Sequence, residues 1–182
     1  SARSVSGFDI YNAIDSCSDL LERFGGHKYA AGLTLKKENL PAFIQRFEEV
    51  VSTTITDEMQ IPKINIDLEM PMEDITMKTY RIIEQMAPFG PSNSRPVFMT
   101  KGVIDNGSGR LIGQDKNHLK LAITDTNNSK ILDGIGFGMS DYFSIIKDKQ
   151  PFDVCFVLDL NEWNGTFNLQ LRIKDIRNNN LP

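Results

Sequence analysis

Two glycines followed by a histidine are the first residues whose types suit phosphate chemistry. Gly25 and Gly26 let a backbone approach a ligand closely and expose its N–H groups. His27 can donate a hydrogen bond to a phosphate oxygen or carry positive charge beside it. The alternative is a glycine that ends a helix, followed by a histidine with an internal partner. On spacing alone the motif favours that alternative.

A hydroxyl and a guanidinium stand two residues apart at the start of the chain. Ser1 and Arg3 project to the same side of an extended segment, and the arginine can bind phosphate through two parallel hydrogen bonds. They are therefore candidates for a phosphate clamp. The alternative is a frayed segment with a solvated arginine, and without further context it is the simpler interpretation.

A lone tryptophan precedes a strong hairpin signal. Trp163 is followed by Asn164-Gly165, which favours a type I′ turn. An exposed aromatic ring at such a turn can stack a nucleobase. The same ring can instead fold back over the end of a barrel. Both interpretations stay open at this point.

Basic side chains cluster near two predicted strands. Lys116, His118 and Lys120 lie near a loop between strands, and Arg172 and Lys174 lie on the polar face of a later strand. Such residues can contact phosphates. For any single one of them, ordinary solvated charge is the alternative.

Metal and nucleotide motifs are missing from the sequence. Its two histidines, His27 and His118, have no cluster of carboxylates near them, so a two-metal phosphoesterase site is not predicted within this chain. The sequence also has no phosphate-binding P-loop, no nucleophile elbow and no zinc pattern. We expect no metal ligands and no bound cofactor in this segment.

The first 60 residues predict a small α/β unit. Asp9 can cap a helix over 10–24 that ends at Gly25, and a strand at 30–35 and a second helix at 39–52 follow. With so few strands the sheet would be hard to stabilise alone. We therefore expect part of a larger domain.

The middle of the chain predicts a strand, a helix and a rigid loop. Residues 63–70 alternate apolar and polar side chains, as in a half-buried strand. A helix over 75–86 is stopped by Pro88, and residues 88–96 hold three prolines.

From Val97 onward the pattern is mostly β. Three strands, one helix and two strands follow one another, which is the element order of an OB-fold, a five-stranded barrel that often binds oligonucleotides. Ser140 is a candidate cap for the helix. The predicted strands cover 97–104 (with a bent continuation at 110–113), 118–124, 130–137, 152–160 and 166–176, and the predicted helix covers 141–147.

Bulk composition limits the function classes. The net charge of −4 gives no global attraction for nucleic acid, so any contact must use a local patch. Cys17 and Cys155 are far apart and suit core positions in a reduced, cytoplasmic compartment. No apolar run approaches the length of a membrane span, and no signal peptide is visible. The opening residues resemble no common targeting segment, and we expect an internal piece of a longer protein.

Taken together, several segments closely resemble the RecJ family of single-strand-specific exonucleases. The resemblance covers nearly the whole chain in the family's order. The early segments resemble its DHHA1 accessory domain and the later ones its OB domain. The early segments are Ser1-Ala2-Arg3-Ser4, Gly7-Phe8-Asp9, Leu21 to His27 and Ala30-Ala31-Gly32-Leu33; the later ones are Ala87 to Pro91, Phe137-Gly138-Met139, Leu160 to Gly165 and Leu169 to Ile176.

The resemblance implies a domain plan and an activity. It assigns residues 1–60 to the C-terminal part of DHHA1, 61–96 to a connection and 97–182 to a single-strand-binding OB-fold. It implies a 5′→3′ exonuclease for single-stranded DNA in recombination and repair, with manganese or magnesium held by a separate DHH domain. Because that domain is absent here, this segment alone is expected to be inactive.

The resemblance also implies roles for individual residues. Gly25, Gly26 and His27 are expected near the scissile phosphate, with His27 supporting catalysis. Ser1 and Arg3 are expected in the pocket for the DNA 5′ end, and Trp163 at the strand. Ala2 departs from the glycine found in many members, and Ser1 is the first residue of this chain.

Two alternatives are kept. One is another DHH-family phosphodiesterase that acts on short oligonucleotides or cyclic dinucleotides, against which the OB-like second half argues. The other is an OB module that recruits other repair proteins, with Trp163 as an interface anchor.

Overall fold

A computed structural model describes residues 1–126 and 130–178. The chain divides into two compact units, Ser1–Lys63 and a second that begins at Ile64. The first is a small α/β unit and the second is a five-stranded barrel with added elements, which confirms the predicted fold class. The barrel domain was predicted to end at residue 182, and its last four positions lie outside the described residues.

Three short antiparallel strands form the sheet of the first unit. The strands are β1 (Ala2–Arg3), β2 (Arg23–His27) and β3 (Ala30–Thr34), and the helices of the unit are α1 (Ile10–Asp15), α2 (Leu40–Thr54) and α3 (Asp57–Gln60). The strand order in the sheet is β1-β3-β2, and because residues 28 and 29 alone connect β2 to β3, these two strands form a tight hairpin.

The predicted helix over 10–24 is wrong beyond its first turns. Asp9 caps α1 as expected, by accepting from the Asn12 N–H at 3.1 Å, but the helix ends at Asp15. After a 3₁₀ turn the chain extends and pairs with β3. Leu21 and Phe24 therefore reach the same core from extended backbone. Gly25 lies inside a strand and does not end a helix.

The second helix confirms the prediction for 39–52 within two residues, as α2 spans Leu40–Thr54. Its apolar face is only partly used. Phe47, Val50 and Val51 pack on the core of the unit, whereas Leu40 and Ile44 are exposed.

The predicted strand over 63–70 is wrong for most of its length. Only Leu68 and Glu69 form a strand, β4, which pairs in parallel with the first barrel strand. Ile64 and Ile66 are exposed, and Leu68 is 57% exposed; only Met70 is buried. Alternation indicates which side chains share a face, but it does not ensure that anything covers that face.

The helix and proline loop of the middle segment occur as predicted. The helix α4 spans Met77–Glu84, with Thr76 accepting from the Thr79 N–H at its start. In the loop, the guanidinium of Arg95 lies 4.4 Å from the ring centroid of Phe89 and forms an ion pair with Glu84. The loop is thus tied to the helix by packing and charge.

Five strands close the barrel. They are β5 (Phe98–Asp105), β7 (His118–Thr124), β8 (Ile131–Gly136), β9 (Phe152–Trp163) and β10 (Thr166–Asn178), and the short β6 (Arg110–Ile112) pairs outside β7. Around the barrel the order is β5-β7-β8-β10-β9: β5 pairs with both β7 and β9, and β8 runs parallel to β10. This is the connectivity of an OB-fold.

The short helix of the barrel, α5 (Phe143–Lys147), lies between β8 and β9 as predicted. Ser140 does not cap it. Ser140 instead starts a 3₁₀ turn that precedes α5, and this turn has no side-chain cap. Inward side chains of the five strands fill the barrel, among them the fully buried Phe152, Phe156 and Leu171.

Candidate nucleic-acid interface

Arg3 and His27 lie in one row across the small sheet. Both residues stand opposite Ala30 in register, Arg3 on β1 and His27 on β2. Side chains that stand opposite one another in antiparallel strands project from the same face. Two strand spacings separate their backbones by roughly 10 Å. The fold therefore brings together two candidates that are far apart in sequence.

The two glycines before His27 face opposite sides of the sheet. Gly26 stands against the backbone of β3, where a Cβ atom would lie 2.3 Å from the Ala30 carbonyl oxygen and 2.5 Å from the Ala31 Cα. Gly25 stands on the His27 face opposite Gly32, and a Cβ atom at either would meet nothing within 4 Å. Gly26 thus serves packing, whereas Gly25 and Gly32 leave the backbone bare on the exposed face.

His27 is oriented by the hairpin turn. Its Nδ1 accepts a hydrogen bond from the Tyr29 N–H at 3.2 Å, so the neutral ring carries its proton on Nε2. The Tyr29 ring is 60% exposed and meets the imidazole edge-on at 6.1 Å between centroids. The Lys28 ammonium lies 5.9 Å from the Tyr29 ring centroid. His27 can therefore donate from Nε2 to a ligand in a cationic, aromatic setting.

Ser1 lies exposed just before β1 and forms no hydrogen bond to Arg3 in the described structure. The Arg3 guanidinium donates to the Ala2 carbonyl oxygen at 2.9 Å. Ser1 and Arg3 are thus both exposed at the start of the chain, and their role as a phosphate clamp stays a prediction.

A row of cations crosses the outside of the barrel. Arg110 pairs with Lys120, Lys120 pairs with Ile135, and Ile135 pairs with Arg172. The neighbouring row, which includes Leu121 and Leu171, points into the core, so these four side chains point outward. Within the described residues neither Lys120 nor Arg172 forms an ion pair.

Beside this row, Phe137 lies between His118 and Arg172. The imidazole of His118 meets its ring edge-on at 5.2 Å, and the Arg172 guanidinium lies 5.5 Å from its centroid. The His118 Nδ1 accepts from the Gly138 N–H at 3.1 Å, which again leaves Nε2 as the donor. We call these three side chains the Phe137 cluster.

Trp163 ends β9 and is 70% exposed, so its ring does not plug the barrel. It stands opposite Thr166, and alternation along β10 places Thr166 on the same face as Arg172. Trp163 and the Phe137 cluster therefore occupy one face of the β9–β10 ribbon.

Lys116 and Lys174 stand apart from these contacts. Lys116 occupies the turn after β6 with a φ of 52°, and its N–H donates to the Gly113 carbonyl oxygen. Lys174 lies exposed on β10. Among the described residues the cation over the Phe137 ring is Arg172, so Lys116 and Lys174 stay individual candidates.

No binding role was predicted from sequence for two exposed aromatic residues, Tyr29 and Phe137. Each is exposed and lies against a histidine and a cation. The available signal was an aromatic residue at the turn after Gly-Gly-His, and another just past the end of β8 before Gly138. Neither position follows an apolar period that would have marked it as core.

Other chemistry is limited in the described part of the chain. No group of three or more His, Cys, Asp or Glu side chains is placed to hold a metal ion there. Burial raises the pKa of both Cys17 and Cys155, which keeps these thiols protonated. None of the helices described is long and apolar enough to cross a membrane.

Fold and site together define an OB-fold barrel that carries exposed aromatic and cationic side chains, joined to an α/β unit with a bare glycine face. Such barrels commonly bind single-stranded nucleic acid. The model of the RecJ OB domain matches residues 66–175, and the model of the DHHA1 domain matches residues 1–53. The chain belongs to the RecJ family.

Curated relatives match along nearly the full chain. The single-stranded-DNA-specific exonuclease RecJ of Bacillus subtilis (strain 168) is 36% identical over 176 residues, covering 96% of this chain and 22% of the relative. That of Escherichia coli (strain K12) is 27% identical over 180 residues, covering 97% of this chain and 30% of the relative. The chain thus spans less than a third of the length of these relatives.

Solved structures show the same fold. RecJ from Thermus thermophilus in complex with Mn²⁺ superposes with a TM-score of 0.75 at 23% identity, covering 98% of this chain and 25% of that one. The complex with Mg²⁺ gives a TM-score of 0.73, with 98% and 26% covered.

Proposed function

We propose that this chain is the strand-holding part of a single-stranded-DNA-specific 5′→3′ exonuclease of recombination and repair. Its relatives are named single-stranded-DNA-specific exonucleases, and the chain matches the DHHA1 and OB domains of the family. In this proposal residues 1–60 bind the phosphate that is cut and residues 97–182 hold the strand. Hydrolysis itself belongs to a DHH domain of the full-length enzyme.

The exposed Trp163 is the observation that carries the proposal for the barrel. A ring that is 70% exposed at the tip of a hairpin has lost most of the stabilisation that burial gives an aromatic side chain. Stacking on a nucleobase recovers part of it and is tolerant of sequence, because every base has a π-face. Lys120 and Arg172 point outward and form no ion pair within the described residues, so their charges suit phosphates.

In the first unit, the His27 face suits a phosphodiester backbone. Gly25 and Gly32 let the backbone of a ligand come close, while Arg3 and the Nε2–H of His27 supply donors on the same face. Donors aimed at a phosphoryl oxygen stabilise charge that develops there during hydrolysis. His27 is proposed as a supporting residue at the scissile phosphate, with Ser1 and Arg3 at the 5′ end.

In this proposal the metal ions that hydrolysis requires are not bound by the described residues of this chain. The described residues offer no group of three or more ligands, so they do not fit a manganese or magnesium centre. The Thermus thermophilus RecJ structures were determined with Mg²⁺ or Mn²⁺. We propose that the equivalent ions are bound by the DHH domain.

Fluorescence anisotropy with a labelled oligo-dT of about 20 nucleotides tests the barrel's role. We expect salt-sensitive binding by the wild-type chain, weakened roughly fivefold or more in Trp163→Ala. Phe167→Ala is the matched control. Its ring is 56% exposed on the same hairpin, but its pairing with Glu162 places it on the opposite face from Trp163.

Absence of binding at low salt would reject the barrel as a strand-holding module. Equal weakening by Trp163→Ala and Phe167→Ala would assign the contact to the hairpin as a whole and not to the Trp163 face.

Recruitment of other repair proteins is a second candidate function for the same hairpin. The exposed Phe167 ring favours it, since it lies on the face opposite Trp163. A pull-down in which Phe167→Ala loses a partner protein while oligo-dT binding is unchanged would support it.

A further inference from the structure

We propose that Phe137 is a second nucleobase-stacking platform of the barrel, with His118 and Arg172 as its flanking phosphate or base-edge donors. The ligand is one nucleotide of a single strand that also reaches Trp163. The inference rests on the proposed function, because it names a subsite on the same surface.

The backbone around Phe137 is fixed while its ring is left open. Gly136 leaves room for the buried Met139, since a Cβ atom there would lie 2.7 Å from the Met139 sulfur. Gly138 has a φ of 68°, which turns the chain so that its N–H reaches His118. Between these anchors the Phe137 ring is 54% exposed. A hydrophobic contact within the barrel does not explain a ring held outward in this way.

The side chains around Phe137 suit a nucleotide. Edge-on contact with His118 and the guanidinium of Arg172 hold the ring without burying it. The Nε2 of His118 is left as a donor, because Nδ1 is occupied by the Gly138 N–H. Arg172 forms no ion pair within the described residues, so its charge is available to a phosphate.

Position along the ribbon links the two aromatic residues. Thr166, opposite Trp163, and Arg172 lie six residues apart on β10 and share a face, and the irregularity in pairing occurs only after Ile173. This separation corresponds to about 20 Å of strand. That length accommodates several nucleotides, which agrees with the site sizes of OB-folds. A strand stacked on Phe137 and Trp163 would meet the row of cations at Arg172, where that row crosses β10.

The test compares two ligands with equal phosphate number. Anisotropy is measured with labelled oligo-dT of about 20 nucleotides and with an abasic strand of the same length, for wild type, Phe137→Leu, Phe137→Tyr and the control Phe167→Leu. We expect Phe137→Leu to weaken oligo-dT binding roughly fivefold or more and to leave abasic binding unchanged. Phe137→Tyr keeps the aromatic face and should bind like wild type.

Photocrosslinking supplies a readout that does not depend on affinity. A strand containing 5-iododeoxyuridine should crosslink to the peptide that includes Phe137, and this product should disappear in Phe137→Leu. Unchanged oligo-dT binding by Phe137→Leu, or equal loss with both ligands, would overturn the stacking assignment while wild-type binding still upholds the proposed function. A wild-type chain that binds neither ligand would reject both.

Discussion

At the residue scale, Gly25 and Gly26 look alike in sequence but have opposite roles. Gly26 has a φ of 142° and no room for a Cβ atom, whereas Gly25 has open space. We expect Gly26→Ala to lower the free energy of unfolding of the first unit by about 1–3 kcal/mol, because the backbone must shift. Gly25→Ala should change it by less than about 0.5 kcal/mol, as urea titration will measure.

The two variants also separate folding from binding. If the phosphate approaches the backbone closely at Gly25, Gly25→Ala should lower the rate at which the full-length enzyme hydrolyses single-stranded DNA, while the first unit stays folded. Equal loss of stability in both variants would contradict the assignment of the two faces.

Tyr142 gives the barrel a stability that depends on pH. Its hydroxyl donates to the Asp175 carboxylate at 2.6 Å, and this hydrogen bond, followed by burial, raises the pKa of Tyr142 to about 12. A pKa raised above the ordinary value of 10.0 means that the folded state favours the neutral phenol. The stabilisation is complete below pH 10.0 and declines as the pH rises through about 12.

Tyr142→Phe should therefore lower the free energy of unfolding by about 1.5–3 kcal/mol at pH 7, since a hydrogen bond to a charged group is lost. The difference from wild type should shrink as the pH approaches 12. Denaturant titrations at several pH values measure it. If the difference in unfolding free energy between Tyr142→Phe and wild type stays constant from pH 7 to about pH 12, the hydrogen bond to Asp175 is not its cause.

At the element scale, a buried carboxylate shapes the loop between β5 and β6. One Asp105 oxygen accepts from the N–H groups of Gly107 and Gly109 at 2.8 and 3.0 Å, and the other accepts from the Ala122 N–H at 3.1 Å. Asp105→Ala leaves three donors without this partner and should cost about 2–3 kcal/mol of unfolding free energy.

Asn106→Ala is the matched control for this loop. Its side-chain oxygen lies at the surface and accepts from the Ser108 N–H, so its loss should cost less than about 0.5 kcal/mol. Thermal or urea unfolding of both variants tests the difference. Similar losses of unfolding free energy in Asp105→Ala and Asn106→Ala would mean that the buried Asp105 carboxylate has no special part in stabilising this loop.

The barrel could be predicted from sequence because each of its strands has one face toward the core. Period-two alternation and the Asn164-Gly165 turn placed the strands within a few residues. The helix over 10–24 could not be resolved, because Leu21 and Phe24 fit a helical stripe and also fit the core from the extended backbone of β2 and the residues just before it. The pairing partner that decides between the two is nonlocal.

Which candidate residues share a surface could not be predicted from sequence, for a related reason. Arg3 and His27 carry suitable chemistry in sequence, but only strand register shows that they share a face. The Phe137 side chain has no polar atom and lies past the end of β8. It becomes a candidate binding residue only through its contacts with His118 and Arg172, which lie on other strands. Sequence spacing contains no such information.

At the scale of the whole molecule, we propose that holding the strand is separate from cutting it. The chain has no described cluster of metal ligands, and its relatives are more than three times as long. The 182-residue chain should release no nucleotides from single-stranded DNA in manganese or magnesium. Nucleotide release that is abolished by His27→Ala would contradict this, whereas release that survives the substitution would indicate a contaminating nuclease.

Net charge at this scale constrains where DNA can bind. A chain of net charge −4 offers no general attraction, so we expect DNA binding to follow the local row of cations and the exposed rings. In a DNA titration, Lys101 is the internal reference for a cation outside the expected binding surface, because its ammonium already forms an ion pair with Glu69. Its strand β5 is not adjacent to β8 or β10 in the ring.

The most direct test of strand holding by the barrel is an NMR titration of the ¹⁵N-labelled chain with oligo-dT. We predict the largest shifts at the Phe137 and Gly138 amides and the Trp163 indole, small shifts at Lys101 and Glu69, and weaker effects from a duplex of equal length. Shifts centred on Lys101 and Glu69, or equal shifts with single strand and duplex, would contradict it.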